Sequence, residues 1–379
     1  MRVLIDALSA RQGGGQTYLM NLFRALPVDA GFEVLVAAPT TLPLPDGQPA
    51  VRRLRIRWPV TNPILRGIWQ RWILPHALRR FKIDVLFVPG GVVWTHVPRR
   101  CRLVTMFRNM IPFDMVQRAR YPLGYQRLRN WVLERIMLQS MIRADLVIFV
   151  SEHARQVIEA RAPRQVRAGV VIPHGVNDAF RMIPGALLPR PTGLPPGPYL
   201  LYVSTLDYYK AQVEVVRGFA LARKQRHGPE KLVLVGAENP QYGRLVRREI
   251  ALLGLQNDVI VMGQVPYNEL PAFYQHAAIN LFASESENCP NILLEALASG
   301  RPVLSSNIPP MPEFGGDAAL YFDPRSPEDL AQCLLTAFDD RRLMADLAKR
   351  ATARARRYQW NDSGRRTWEA ITAPASCVS

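Results

Sequence analysis

Short apolar runs alternate with longer amphipathic ones along most of the chain. VLIDALSA, FEVLVAA, DVLFVPG, RLVTMF and ADLVIFVS are almost continuously apolar over strand length, the pattern of strands covered on both faces of a parallel sheet. Between them, GGGQTYLMNLFRAL and the run 152–161 space their apolar residues at helical intervals. After residue 198 the alternation repeats, with YLLYVST, KLVLVG, DVIVMGQ, AINLFAS and RPVLSS as the apolar runs. Such an order predicts α/β architecture with doubly wound parallel sheets. The segment 184–198, PGALLPRPTGLPPGP, breaks the pattern with Pro and Gly and predicts a linker between domains 1–183 and 199–359.

Length agrees with this division, because 379 residues exceed what one ordinary core organises. Cys101, Cys289, Cys333 and Cys377 form no CxxC pair or regular framework, which points to a reduced, cytoplasmic setting. MRVLIDALSA reads as a first strand rather than a leader, and no run approaches the roughly eighteen apolar residues of a spanning helix. The expectation is a soluble or peripheral protein.

Charge changes the picture for the first half. Residues 1–185 carry 27 Lys and Arg against 11 Asp and Glu, a balance of +16, whereas residues 186–379 carry 21 against 20, a balance of +1. An anionic partner is therefore expected at the N-terminal domain: a membrane surface or a lipid-linked phosphate. Nucleic acid is not expected, since no zinc finger or RNA-recognition signature occurs. Residues 57–82, RWPVTNPILRGIWQRWILPHALRRFK, place Trp58, Trp69 and Trp72 among arginines without one acidic residue. That composition suits either an interfacial helix on anionic lipid or a domain helix with a solvated basic side. Residues 118–143 form a second basic, aromatic helical stretch.

The most telling chemistry lies in SESENCPNILLEALASG, residues 284–300. AINLFAS predicts a strand, Pro290 suits the first turn of the next helix, and Glu295 then sits one turn inside an apolar helix with Glu287 on the loop before it. A carboxylate at such a position needs hydroxyl or cationic partners. Amides around Cys289–Ile292 offer a seat for a diphosphate. By spacing alone, a surface Glu beside a stray core Glu explains the pair equally well.

The stretch resembles the E-x7-E motif of the retaining family-4 glycosyltransferases, and the resemblance extends through IVMGQVPYNELPAFYQH, GRPVLSSNIPPMPEFGG, YVSTLDYYKAQ, LVLVG and VIPHGVNDAF. It implies the GT-B fold, two Rossmann-like domains facing a cleft, with a final helix, 360–379, packed on the first. It implies a nucleotide-sugar donor, a saccharide or polyprenyl-linked acceptor, retention of configuration and no metal or other cofactor. Donor contacts would come from Ser204, Thr205, Lys210, Gly263, Gln264, Glu287, Asn288, Cys289, Pro290, Asn291, Ile292 and Glu295. Glu287 would hold the transferred sugar, Glu295 the ribose diol, and Lys210 the departing diphosphate. Gly13, Gly14 and Gly15, after the first strand, would form a loop near phosphates or acceptor; SARQGGGQTY is not GxGxxG, so a nicotinamide site is not expected.

Two departures from the family pattern stand out. Thr205 replaces the Arg that many relatives place five residues before the Lys, and TMFRNMIPFD offers Arg108 and Asn109 where many carry a His. Arg108 and Asn109 are accordingly candidates for the catalytic region, while His153 and His174 read as structural. The departures leave two other readings in play: a GT-B epimerase or phosphorylase, and a non-catalytic sugar-nucleotide-binding protein.

Overall fold

The computed structural model describes residues 1–10, 13–27, 31–45, 50–120, 124–183 and 185–373. The chain forms two compact units, Met1–Gly175 with Trp360–Ser379, and Val176–Gln359. In the first, β1 (Arg2–Asp6), β2 (Glu33–Ala37), β3 (Val51–Arg53), β4 (Val85–Val88), β5 (Arg102–Phe107), β6 (Leu146–Phe149) and β7 (Gly169–Val171) build a seven-stranded sheet in the order β3-β2-β1-β4-β5-β6-β7. Every pairing is parallel, with Val3 opposite Val34 on one side and Val85 on the other. In the second, β8 (Tyr199–Val203), β9 (Lys231–Val235), β10 (Val259–Gly263), β11 (Ile279–Phe282), β12 (Val303–Ser306) and β13 (Leu320–Phe322) follow the order β10-β9-β8-β11-β12-β13, again parallel throughout.

In each sheet the order of winding reverses beside one strand, between β1 and β4 and between β8 and β11. The crevice beyond the carboxyl ends at such a reversal is where open α/β sheets bind ligands. The central strands β4, β6, β8 and β11 are buried along their whole length, which is why their sequences are apolar at consecutive positions.

Segment 186–198 lies inside the second unit, and the unit boundary falls earlier, at Gly175 and Val176; residue 184 of the expected linker is outside the described residues. Its Pro-rich backbone is tied down: the Leu188 amide donates to Gln275 Oε1 at 3.2 Å, and Arg190 donates to the Gly197 carbonyl at 3.1 Å. The final helix, Trp360–Thr372, belongs to the first unit, where Trp368 Nε1 donates to the Leu22 carbonyl at 2.8 Å.

The basic segment 57–82 is not one helix. It is broken into helix Pro63–Ile68, a π-helical turn Trp69–Ile73, and helix Leu74–Arg80. Pro75, which lacks an amide donor, starts the last piece and accounts for the widened turn before it. The break also sorts the tryptophans. Trp69 is 3% exposed in the core, and half-buried Trp58 donates Nε1 to the Leu65 carbonyl at 2.8 Å, so these two fit the domain-helix alternative rather than the interfacial one. Trp72 is 64% exposed. The second basic stretch gives helices Met115–Arg120 and Tyr125–Arg143, with 121–123 outside the described residues. Among the described residues no helix is long and apolar enough to cross a membrane.

Candidate active site

Lys210 ends a 3-10 turn, Tyr208–Lys210, that follows β8, and Glu287 lies on the loop after β11. The two strands are neighbours, so residues 77 positions apart meet at the switch point of the second sheet. The Lys210 Nζ donates to Glu287 Oε1 in a close ion pair, and Ser284 Oγ donates to the same carboxylate oxygen at 2.8 Å. Lys210 is 5% exposed, with its ammonium 4.9 Å from the Tyr209 ring centre and 5.4 Å from that of Phe282. Burial pushes its pKa down, but the charge of Glu287, with Tyr209 and Asp207, outweighs this and holds the pKa above the usual lysine value. Two backbone tethers fix the geometry: Tyr202 Oη donates to the Lys210 carbonyl at 2.7 Å, and the Glu285 amide to the Tyr209 carbonyl at 2.7 Å.

Glu295 occupies the middle of helix Asn291–Ala298 and is 7% exposed. Its carboxylate accepts from Tyr267 Oη at 2.9 Å and from Tyr274 Oη at 3.4 Å. Burial raises its pKa to about 7, and the two tyrosine bonds oppose but do not cancel that rise. Each oxygen therefore carries one donor and keeps further acceptor capacity. The tyrosines come from the loop after β10 and from helix Leu270–His276; of that loop the sequence singled out Gln264, and neither tyrosine.

Pro290 is the N-cap residue rather than part of the first turn: its ψ of 77° is non-helical, and its carbonyl accepts the Leu294 amide at 3.1 Å. The Asn291 amide is already used, donating to the Cys289 carbonyl at 2.9 Å. Asn288 is buried, and Cys289, Asn291 and Ile292 are half-buried. Glu285, two residues before Glu287 on the same loop, is also buried and accepts from Arg325 Nε at 3.0 Å.

Ser204 is buried and Thr205 exposed; Gln212 Nε2 donates to the Thr205 carbonyl at 3.0 Å. This turn is pressed against the end of β9. A Cβ on Gly236, whose φ is +152°, would stand 2.0 Å from the Ser204 carbonyl oxygen, so only glycine permits the approach. Gly263 closes β10 with φ +73°, and Gln264 after it is exposed.

The remaining candidates lie in the first unit. Gly13, with φ +64°, is the N-cap of helix Gly14–Arg24, so of the three glycines expected in a loop the exposed Gly14 and the half-buried Gly15 form the helix's first turn. Arg108 donates to the Gly14 carbonyl at 2.7 Å and lies 4.9 Å from the Tyr18 ring centre, which ties the start of helix Gly14–Arg24 to the end of β5. Asn109 is exposed and lines a cavity beyond β1 and β4. His174 is buried against the rings of Trp360 and Tyr18, at 5.3 and 5.5 Å between centres, and burial lowers the pKa of half-buried His153. No His, Cys, Asp and Glu cluster of metal-binding make-up occurs among the described residues.

Two family models match successive parts of the chain: "Glycosyltransferase Family 4" over residues 12–180 and "Glycosyl transferases group 1" over 189–354. An O-antigen chain mannosyltransferase B from Escherichia coli is 25% identical over 296 residues, covering 76% of this chain and 73% of that protein. A D-inositol 3-phosphate glycosyltransferase from Acidothermus cellulolyticus is 29% identical over 222 residues, 55% of this chain and 49% of its own length. Among solved structures, sucrose-phosphate synthase from Thermosynechococcus elongatus superposes with a TM-score of 0.74 at 17% identity, over 98% of each chain. Anabaena HepE in complex with UDP-glucose gives 0.69 at 16% identity, over 98% of this chain and 99% of that one.

Proposed function

We propose that this chain, which belongs to the GT-B glycosyltransferases of the family-4 type, transfers a hexosyl or deoxyhexosyl group from a nucleotide sugar to a saccharide or lipid-linked acceptor with retention of configuration. The observation that carries the reading is the pairing of Lys210 with Glu287 beside the helix that bears Glu295, all at the carboxyl ends of β8 and β11. Lys210 supplies positive charge for the leaving diphosphate. A diphosphate competes with Glu287 for that ammonium, and Glu287 is then released to accept hydroxyls of the transferred sugar. Glu295 accepts from the ribose diol with the oxygen capacity that its two tyrosines leave over.

The acceptor hydroxyl attacks on the face from which the diphosphate departs, and a phosphate oxygen takes its proton. No protein carboxylate forms a covalent bond, and leaving-group charge is met by Lys210 and helix amides without a metal. The likeness to an O-antigen mannosyltransferase favours a surface polysaccharide or glycoconjugate as the product, and the +16 balance of residues 1–185 favours work at the anionic inner face of a membrane. A hydrolysis and transfer screen over UDP, GDP and dTDP sugars, with and without chelator, tests this. Turnover of one donor class that survives chelation is expected. Binding without turnover across donors and acceptors points instead to a non-catalytic binding protein, and turnover that is lost with chelator contradicts the metal-free step.

A further inference from the structure

Glu295 is an acid whose surroundings in the second unit disfavour its charge. Burial lifts its pKa to about 7, against two opposing hydrogen bonds, from Tyr267 and then from Tyr274. The two donors differ in setting. Tyr274 lies in helix Leu270–His276 and is fully buried, so its ring fills core volume whatever its hydroxyl does, and its bond to Oε2 is the longer, at 3.4 Å. Tyr267 stands on the loop between β10 and that helix, flanked by exposed Pro266 and Asn268, and is itself 46% exposed. Core packing therefore gives no reason for a tyrosine there. Its ring centre is 5.2 Å from that of buried Phe180, and its Oη donates to Glu295 Oε1 at 2.9 Å. Phe180 also meets Tyr274, at 5.7 Å between centres, so one buried ring seats both tyrosines.

An ionised carboxylate can accept both hydroxyls of a ribose diol, whereas a protonated carboxyl gives up part of that capacity to its own proton. Whatever favours the ion therefore decides how much of the site is ready for a donor. We propose that Tyr267 is a positioning residue for the donor: its hydroxyl holds Glu295 as an oriented carboxylate, so the grip on a ribose diol is set from the exposed loop after β10 and weakens as the medium turns acidic. Tyr267 acts through Glu295 and has no need to touch the nucleotide. Its hydrogen bond pulls the Glu295 pKa down, so loss of the hydroxyl raises that pKa and leaves the carboxyl protonated up to a higher pH. Among the described residues, the titratable groups that act on Glu295 are these two tyrosines, with Tyr202 acting in turn on Tyr274. Charged groups on the other elements packed against its helix are engaged elsewhere: Asp178 pairs with Arg181, Arg350 with Asp346, and Arg354 donates to the Glu313 and Phe314 carbonyls. The assignment rests on the glycosyl-transfer reading, in which Glu295 meets the ribose.

The test uses the full chain and Tyr267→Phe, which keeps the ring on Phe180 and removes only the hydroxyl. Two quantities are followed from about pH 5.5 to about pH 9. In the ligand-free protein, the side-chain carboxyl signal of carbon-13-labelled glutamate, assigned by its loss in Glu295→Gln, reports the ionisation of Glu295 itself. With UDP, GDP and dTDP as probes, the dissociation constants of wild type and variant are taken as a ratio, so that ionisations of the nucleotide cancel. The carboxyl midpoint should move up by about one pH unit or more in Tyr267→Phe. A nucleotide that binds wild type should bind the variant about five- to tenfold more weakly at about pH 7, and within about twofold at about pH 9. In a Glu295→Gln background the same substitution should leave the ratio flat across the range. An unmoved midpoint, a ratio that does not change with pH, a pH dependence that survives in the Gln background, or tighter binding by Tyr267→Phe would each overturn the proposal, the last by showing that the hydroxyl competes with the ribose. If wild type binds a nucleotide while the ratio stays flat, this inference falls alone. If the midpoint moves but no probe binds wild type at any pH, it is the donor reading that fails, and the inference falls with it.

Discussion

Lys210 is buried and Glu287 half-buried against it, and burial makes their pairing a cost as much as a gain. An ammonium and a carboxylate withdrawn from water recover the desolvation penalty only through each other. Lys210→Met should therefore lower stability by about 3 kcal/mol, because Glu287 is left without its counter-charge. The double variant Lys210→Met/Glu287→Gln should regain most of that loss while remaining inactive. Denaturant midpoints for wild type, both single variants and the double variant give the comparison. A double variant no more stable than the Lys210 single one would mean that the pair is a structural fixture and not a charge held for the reaction. Much of this site was legible in the chain: Glu287, Glu295 and Lys210 stand out because a charged residue beside or within an apolar element needs a partner. The identity of each partner was not. Nothing at Tyr267 or Tyr274 marks them as donors to Glu295, since both also read as ordinary aromatic core, and nothing at Arg108 announces its bond to the Gly14 carbonyl.

At the scale of elements, apolar runs predicted the long strands because full burial on both faces leaves no other pattern. β3, β7 and β13, of three residues each, escaped for want of length. The basic segment 57–82 was legible as helical but not as broken, because the consequence of Pro75 depends on how the preceding turn adjusts. The unit boundary at Gly175 carries none of the Pro-rich composition that draws attention to 184–198, whose prolines serve a tethered surface stretch. Gly236 shows the same dependence on packing. Its place after β9 predicts only a turn, yet the end of β9 touches the turn that leads to Lys210. Gly236→Ala should cost about 3 kcal/mol, combining a forced contact with the Ser204 carbonyl and a disfavoured φ. It should also reduce donor affinity, because the displaced turn carries Ser204 and Thr205. A thermal midpoint equal to that of wild type would show that the strand ends have room to separate.

Over the whole molecule, two sheets of the same winding carry very different charge, and each places a ligand-sized set of polar groups beyond its own switch point. The second unit has the carboxylates and the buried ammonium that the proposed reaction needs for a nucleotide sugar, and the first carries most of the net positive charge. The central claim is that the second unit reads the donor through its ribose. The direct measurement is a titration of the nucleotide selected by the donor screen against its 3′-deoxy analogue, for wild type and for Glu295→Gln. Loss of a hydrogen bond to a charged acceptor costs roughly 1.5 to 3 kcal/mol, or about ten- to a hundredfold in affinity. Wild type should discriminate against the deoxy analogue by that factor, and the Gln variant should bind both about as weakly as wild type binds the analogue. Equal binding of both nucleotides by wild type, or undiminished discrimination by Glu295→Gln, would contradict the account.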